Sequence, residues 1–319
     1  MPKGMFTQCA CVLLEQPVAL EVVEAELSEF SIRGRSDDPN PQEDAWVFGG
    51  PSVTIAFDAE RNGMVVVDVV DRVWPDQMGD ADTEVMIFGG WSMGHFGPAT
   101  YPGGLERAGL QSWSWDEAAD TAARHTGFIR IRSSYALGVA DDDPIMPADY
   151  EPLTDLEFVT KLATSLLNVP GALCYFNPNG EVLLDEDELR ENLNHAWAND
   201  LPPLNVWSNI RLFNVNEDWV MMDTVGNSQL DVPDIEACCV GEAYDLGEID
   251  NFLRNATDYV MKNGEIINDG DTMDGPGDVV WQAHTFENGL TDPPRKVLSW
   301  LPQDERPVPD EILTARETE

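Results

Sequence analysis

The spacing of apolar positions along the first half of the chain predicts alternating helices and strands. In residues 18–30 apolar side chains recur near helical intervals, which predicts a helix. Residues 53–57 and 64–70 are rich in β-branched side chains and flank an Asn62-Gly63 turn, which predicts a hairpin. The other features predicted here are an extended segment at 9–14, a strand at 84–88, a glycine-rich loop at 89–98, a helix that Ser114 and Glu117 cap and that runs to about His125, and a strand at 128–131.

The second half of the chain follows a similar order of elements. Val67-Asp68 in the first half also resembles Met222-Asp223 in the second. The sequence therefore predicts an α+β fold of two related mixed lobes, each a β-α-β-β-β-α-β pseudo-repeat around a largely antiparallel sheet. The elements predicted in the second half are strands at 172–176, 209–215, 219–224, 235–240 and 279–284, and helices at 187–197 and 248–262. The expected divisions are an N-terminal lobe at 1–150, a C-terminal lobe at 151–301 reached through a helix at 156–167, and a flexible acidic tail at 302–319.

The net charge of the chain limits the classes of molecule that we expect the protein to bind. The 18 Lys and Arg residues face 59 Asp and Glu residues, for a formal net charge of −41. Nucleic acids and anionic membranes are excluded as expected partners, because phosphate binding needs clustered cationic side chains. Two explanations of the acidity stay open: a solvated surface adapted to a salty host, and a surface that binds a basic protein, as an immunity-type or decoy protein does.

Cysteine and histidine usage indicates a reducing compartment without a metal centre. The five cysteines are an odd number without a C-x-x-C pair, and the four histidines supply no zinc-ligand spacing. Neither a secretory signal nor an apolar stretch of transmembrane length is recognisable. Residues 268–275 are acidic, but their register does not fit a calcium loop. We therefore expect a cytoplasmic protein without a metal or cofactor.

One motif suggests chemistry. Gly90-Trp91-Ser92-Met93-Gly94 matches the nucleophile elbow of serine hydrolases, in which a strand leads into the serine and a helix follows it. Prolines and glycines are frequent in residues 97–104, which argues against a helix there. A serine hydrolase that uses Ser92 therefore stays the alternative to a protein without catalytic activity.

Aromatic and polar residues around this motif form the predicted ligand-binding site. No acid–base, metal or nucleophile cluster is evident elsewhere, so the sequence favours a non-catalytic protein that binds a ligand or a protein partner. The candidate binding residues are Trp91, Ser92, His95, Phe96 and Tyr101, and Trp113 and Trp115 follow shortly after them.

Three spaced motifs in the second half are similar to those of a known bacterial family. They are Thr224-Val225-Gly226 at a strand end, the strand Pro233-Asp234-Ile235-Glu236 and the closing turn Asn268-to-Thr272. Over about residues 208–286 the chain resembles the module called domain of unknown function 4261 (DUF4261). The Asp at 234 departs from the Glu that is commoner there. The family implies no established activity, cofactor or catalytic residue, so the resemblance adds an order of elements and no chemistry.

Overall fold

The computed structural model of the protein describes residues 4–37, 45–139 and 144–314. The chain divides into two compact units, Met1–Trp207 and Ser208–Glu319. Each unit contains helices and one β-sheet, which confirms the predicted α+β class. Among the described residues, no helix is both long and apolar enough to cross a membrane.

The N-terminal unit is built on a seven-stranded sheet. Its elements, in chain order, are β1 (Gln8–Leu14), α1 (Leu20–Glu26), β2 (Ile32–Ser36), β3 (Ser52–Asp58), β4 (Gly63–Val70), α2 (Val85–Ser92), α3 (Gly104–Leu110), α4 (Ala118–Ala122), β5 (Gly127–Ser134), α5 (Pro152–Leu166), β6 (Ala172–Asn177), β7 (Val182–Leu184), α6 (Glu186–Ala198) and α7 (Leu204–Trp207). The strand order is β2-β3-β4-β5-β1-β6-β7, and neighbouring strands are antiparallel. Every residue of β1 and β5 is buried, as expected of neighbouring strands at the centre of a sheet that is covered on both faces.

Both faces of this sheet are covered. Cys9, Cys11 and Leu13 of β1 belong to a cluster that includes Phe96, Trp91 of α2 and side chains of α3 and α4. Alternate residues of β1 face the opposite side, where α5 packs against β1, β5 and β6. The sheet is therefore the middle layer between α5 and the group α2–α4.

The C-terminal unit has its own six-stranded sheet. Its elements are β8 (Asn209–Asn214), β9 (Trp219–Val225), β10 (Asp234–Val240), α8 (Leu246–Asn263), β11 (Thr272–Gly275), β12 (Val279–Phe286), β13 (Val297–Pro302) and α9 (Asp310–Thr314). The strand order is β11-β12-β13-β10-β9-β8; β10 and β13 are parallel and the other neighbours are antiparallel. The amphipathic helix α8 covers one face, and its Phe252 contacts Trp281 and Trp300. On the other face Ile312 of α9 packs against Trp219.

The predicted strand at 84–88 is wrong, because this segment begins the helix α2. A short apolar run fits either structure, and the preceding turn decides between them. Asp80 Oδ1 accepts hydrogen bonds from the backbone N–H groups of Asp82 and Thr83, and the Glu84 N–H bonds to the Asp80 carbonyl oxygen. Helical hydrogen bonding has thus already begun before Val85, and the segment predicted to be a loop at 89–98 starts inside the helix α2.

Other boundaries also differ from those expected. Ser114 does not cap a helix: α4 begins at Ala118, and its N-cap residue Glu117 makes no side-chain capping bond. The first unit extends past residue 150 to Trp207, because β6 pairs with β1 in the same sheet.

Part of the segment that the sequence predicts to be a flexible tail has regular secondary structure. β13 reaches Pro302, and α9 places the fully buried Ile312 in the core, so ordered structure extends beyond residue 301. The last residues of the expected tail, 315–319, lie outside the described residues.

Candidate functional site

The predicted binding residues divide between core and surface. Trp91 and Phe96 are buried, with ring centroids 4.6 Å apart, and both contact Trp74 at the base of the same cluster. Ser92 and Tyr101 are exposed, and Tyr101 lies in the turn that precedes α3. Two of the five side chains therefore serve the core, and a ligand role for the set stays a prediction.

Ser92 is the last residue of α2 and lies at the C-terminal end of that helix. A nucleophile elbow requires the serine at the start of a helix, where backbone N–H groups stabilise an oxyanion; a helix C-terminus presents carbonyl groups. The next helix in the described chain begins only at Gly104. Ser92 thus lies at the end of a helix, whereas the hydrolase motif places its serine at the start of one.

The glycines of the motif have packing reasons. A Cβ atom at Gly90 would lie 2.2 Å from Cγ1 of the buried Val47. Gly94 has a φ angle of +72°, in the left-handed region that favours glycine. The two glycines of the motif are therefore explained by the close packing of α2 against Val47 and by the turn that ends α2.

His95 belongs to a polar cluster buried in the sheet. Its ring packs edge-on against Phe48, with centroids 4.8 Å apart, and against Phe6, and its Nδ1 lies 3.4 Å from Nη1 of Arg132. Partial burial, followed by the charges of Arg132 and Arg130, lowers the pKa of His95 to about 4. The imidazole is therefore neutral near pH 7, and no hydrogen bond joins it to Ser92 in the described part of the chain.

The centre of this cluster is a buried carboxylate shared by two arginines. Asp68 on β4 accepts hydrogen bonds from Arg130 Nη2 at 2.7 Å and Arg132 Nη2 at 3.1 Å, and from the Gly50 N–H at 3.0 Å. Burial alone would raise the pKa of Asp68, but the two guanidinium charges outweigh it and lower the pKa. We call Asp68, Arg130 and Arg132 the N-terminal Asp–Arg cluster.

A second cluster of this kind lies in the other unit. Asp223 on β9 receives hydrogen bonds from Arg211 at 3.0 and 2.7 Å, from Thr291 at 2.9 Å and from Arg295. Asp223, Arg211 and Arg295 form the C-terminal Asp–Arg cluster. Arg295 also lies near Asp234, whose pKa burial raises. Asp223 is fully buried, so this arrangement holds the β12–β13 connection to the sheet and offers no accessible acid or base.

The alternation of residues in β5 places Arg130 and Arg132 on the face opposite Ile129 and Ile131, but it does not predict a buried partner for them. The alternation is correct, yet both faces of β5 are covered, so the arginines are buried as well. The available signal was the match between Val67-Asp68 and Met222-Asp223. Both aspartates prove to be the carboxylates of Asp–Arg clusters.

An open apolar groove lies beside α8 in the C-terminal unit. It is formed by α8, by the connection from α8 to β11, and by the sheet face beneath them, and its volume is about 590 Å³. Such volumes are typical of ligand-binding pockets. We define the α8–β11 groove by six of its lining side chains: Tyr259, Ile266, Ile267, Asp271, Met273 and Trp300.

The groove combines exposed apolar side chains with an acidic rim. Tyr259 is 47% exposed and Ile266 is 50% exposed, although both are large and apolar, while Trp300 is buried at the base. Residues 256–275 contain five carboxylates and one lysine, and Lys262 is paired with Asp258 at 2.7 Å. The groove thus presents an apolar floor within a negative surface.

Two other cavities are less suited to binding. One of about 230 Å³ lies on the other side of Ile267, and an ion pair between Lys296 and Glu265 lies at its edge. One of about 510 Å³ in the N-terminal unit is lined by Arg35, but Arg35 is already engaged by Glu21, Glu24 and Asp37. Its guanidinium is therefore not available to an anionic ligand.

The acidic turn at 268–275 is held by its own backbone. Asp271 Oδ2 accepts a hydrogen bond of 2.7 Å from the Asn268 N–H, and Gly270 has a φ angle of +87°. No group of three or more His, Cys, Asp or Glu side chains placed to hold a metal ion occurs in the described residues.

The C-terminal unit is thus an α+β domain in which one long helix covers a mixed sheet and leaves a groove beside its last turns. Residues 223–301 match the model of a family described as "Domain of unknown function (DUF4261)". The match runs from Asp223 to the end of β13 and includes the whole α8–β11 groove. It covers the three motifs that suggested the resemblance, with a later start and end than the expected 208–286. Neither the curated proteins nor the solved structures contain a match to the chain.

Proposed function

We propose that the protein is a non-catalytic binding protein and that the α8–β11 groove receives its partner. The observation that carries the proposal is the half-exposure of Tyr259 and Ile266 over a cavity of about 590 Å³. Single exposed apolar residues are ordinary on a protein surface, but several that line one concave site favour a binding role. The groove lies within the family-matched segment, which associates it with the part of the chain that recurs in other proteins.

The proposed setting is the cytoplasm, in keeping with a domain of a bacterial family. The five cysteines are buried and unbridged, as expected of a protein kept in a reducing compartment. The internal duplication stays a prediction, supported by the similar Asp–Arg clusters of the two units.

Methyl NMR on the full chain tests the proposed groove. The protein is labelled at isoleucine and methionine methyl groups and titrated with a library of small apolar fragments and short peptides. We expect binders to shift the methyl signals of Ile266, Ile267 and Met273. Ile145, in the other unit, is 50% exposed like Ile266, and its methyl signals should not move.

A matched pair of variants distinguishes binding at the groove from non-specific binding to exposed apolar side chains. Ile266→Asn should abolish the shifts, whereas Ile145→Asn should preserve them, because the two changes remove equally exposed side chains. Both variants should unfold within about 0.5 kcal/mol of the native protein. A library without a single groove binder, or binding that survives Ile266→Asn, would contradict the proposal.

The serine hydrolase alternative has a direct test. Labelling of the native protein by a fluorophosphonate probe, with loss of the label in Ser92→Ala, would establish it. We expect no labelling, because Ser92 ends a helix rather than starting one.

A further inference from the structure

We propose that the partner bound at the α8–β11 groove is an extended peptide segment with alternating apolar and cationic side chains, which adds to the sheet as a strand beside β11. This inference rests on the proposed function and specifies its partner. Three features of the C-terminal unit support it: the hydrogen-bonding direction of β11, the position of the groove next to that strand, and the charge of its rim.

β11 is an edge strand with outward-facing backbone groups. It pairs with β12 alone in the described sheet. Ala283 of β12 accepts a hydrogen bond from the Gly270 N–H and donates one to the Asp271 carbonyl, so Ala283 faces β11. Trp281, two residues earlier, faces the same way, and its partner Met273 is consequently turned towards β12.

The alternation leaves two residues of β11 facing away from the sheet. Thr272 and Asp274 are the neighbours of Met273 along the strand, so their N–H and C=O groups point outwards. Antiparallel or parallel addition of a peptide strand uses such groups, as in other complexes where a strand extends a sheet edge. Four residues of β11 span about 13 Å, enough to pair with a short peptide.

The groove lies on the sheet face next to this edge. Met273 on β11 lines the groove, so side chains of an added strand that point to the same face would lie about 4.8 Å from it, near the exposed Ile266. Every second residue of the peptide would therefore contact the apolar surface. This geometry selects apolar side chains at alternate positions.

The acidic rim of the groove determines which charge is favoured at the peptide positions that face away from the apolar surface. Asp274 is exposed on the edge strand itself, and Asp271 lies at its start. Edge carboxylates discourage pairing with a neutral or acidic strand, and with a second copy of this chain, whose net charge is −41. The same carboxylates favour lysine or arginine at the outward positions of the partner.

Peptide titrations followed by NMR test the inference. The probe is acetyl-Leu-Lys-Leu-Lys-Leu-Lys-amide, with related hexapeptides in which isoleucine or phenylalanine replaces leucine. One control has glutamate in place of lysine, and another has the same composition in block order, acetyl-Lys-Lys-Lys-Leu-Leu-Leu-amide. We expect the alternating cationic peptides to bind most tightly, with shifts at the amides of Thr272 and Asp274 and the methyls of Ile266 and Met273.

Two substitutions at one position distinguish charge from strand pairing. Asp274→Asn removes the charge and should weaken binding about two- to fivefold at low ionic strength. Asp274→Pro also removes an outward N–H while retaining the bonds of Met273 to β12, and should weaken binding about tenfold more. Asp218→Asn, in the turn between β8 and β9 at the other edge, should bind as the native protein does. Thermal unfolding of each variant checks that the fold is retained.

The outcomes separate this inference from the function on which it rests. Equal binding of the glutamate or block peptide, or native-like binding by Asp274→Pro, would overturn it. Apolar fragments could shift the groove methyl signals while none of the alternating peptides binds with a Kd below 1 mM, which corresponds to a binding free energy of about 4 kcal/mol. In that case the inference fails and the groove function stands. If neither fragments nor peptides bind, both fail.

Discussion

Replacement of Asp68 by asparagine should strongly destabilise the N-terminal unit. The Asp68 carboxylate accepts hydrogen bonds from Arg130 Nε at 3.2 Å and Nη2 at 2.7 Å, from Arg132 Nη2 at 3.1 Å, and from the Gly50 N–H at 3.0 Å. An asparagine amide keeps one acceptor oxygen, but its NH₂ group would face N–H donors. The two buried guanidinium charges would then have no anionic partner in this cluster.

The magnitude follows from that lost partner. Removal of one member of a buried ion pair costs about 3–5 kcal/mol, because the remaining charge stays desolvated. A whole domain is usually stable by only about 5–15 kcal/mol. Asp68→Asn should therefore remove a large part of the unfolding free energy of this unit, while Asp71→Asn, an exposed neighbour in the same chain segment, should change it by less than about 0.5 kcal/mol.

Hydrogen exchange measured by mass spectrometry is the suitable assay, because a chain of two units need not unfold in one step. Opening free energies are compared for peptides that cover β4 and β5 and, in the same sample, for peptides that cover β9 and β10. We expect the first pair to lose about 3–5 kcal/mol and the second to be unchanged. The C-terminal unit thus serves as an internal control.

A triple replacement tests the cause of the loss. Asp68→Leu, Arg130→Met and Arg132→Met together remove the charges and leave no buried ion, so we expect recovery of most of the stability. A loss below about 1 kcal/mol in Asp68→Asn, or a triple variant no more stable than the single one, would refute the reasoning about the uncompensated charges.

Three further predictions concern other parts of the fold. Gly90→Ala should cost about 1–3 kcal/mol because its Cβ would lie 2.2 Å from Val47 Cγ1, whereas Gly89→Ala, with 3.6 Å to its nearest neighbour, should be neutral or stabilising in chemical unfolding. The pKa of His95 is lowered from 6.5 to about 4, so its neutral form stabilises the fold above pH 6.5 and this contribution is lost as the pH falls towards 4. Between pH 6.5 and 5 the unfolding free energy of the native protein should therefore fall by roughly 1 kcal/mol more than that of His95→Gln, a value reduced because the ring is partly exposed. Equal losses in the two proteins would contradict this prediction. Ile312→Ala should lower the unfolding free energy of the C-terminal unit by about 2–4 kcal/mol, since this side chain is fully buried, and no loss would show that α9 does not pack.

Elements with strong local signals were predictable from the sequence. The hairpin of β3 and β4 was expected from Asn62-Gly63, and Asn62 has a φ angle of +59°, in the left-handed region that such turns use. The helix α8 was expected from its spacing of apolar residues. These elements are defined by residues close together in the sequence.

The rest depended on distant contacts. The first unit extends past residue 150 because β6 pairs with β1, and these two strands lie far apart in the sequence. The burial of Arg130 depends on Asp68 and on a layer of helices over the sheet. The groove, in turn, arises where α8 leaves part of the sheet uncovered, and spacing along the chain does not show how much of a sheet a helix covers.

The Asp–Arg clusters have a consequence for how the strands find their alignment during folding. Five of the eight residues of β4 are valine, so shifting this strand by two positions against β5 would still place apolar side chains inside. Asp68 lies directly opposite Arg130 in the native alignment, and Asp223 lies directly opposite Arg211 in the hairpin of the other unit. A shift of β4 that sets Asp68 opposite Phe128 would move the carboxylate away from both buried arginines, and a shift by two positions in the other hairpin would move Asp223 out of register with Arg211. The two carboxylates therefore disfavour these misaligned pairings, and we expect their neutral variants to yield more misaligned and aggregated chains on refolding than the loss of stability alone would cause.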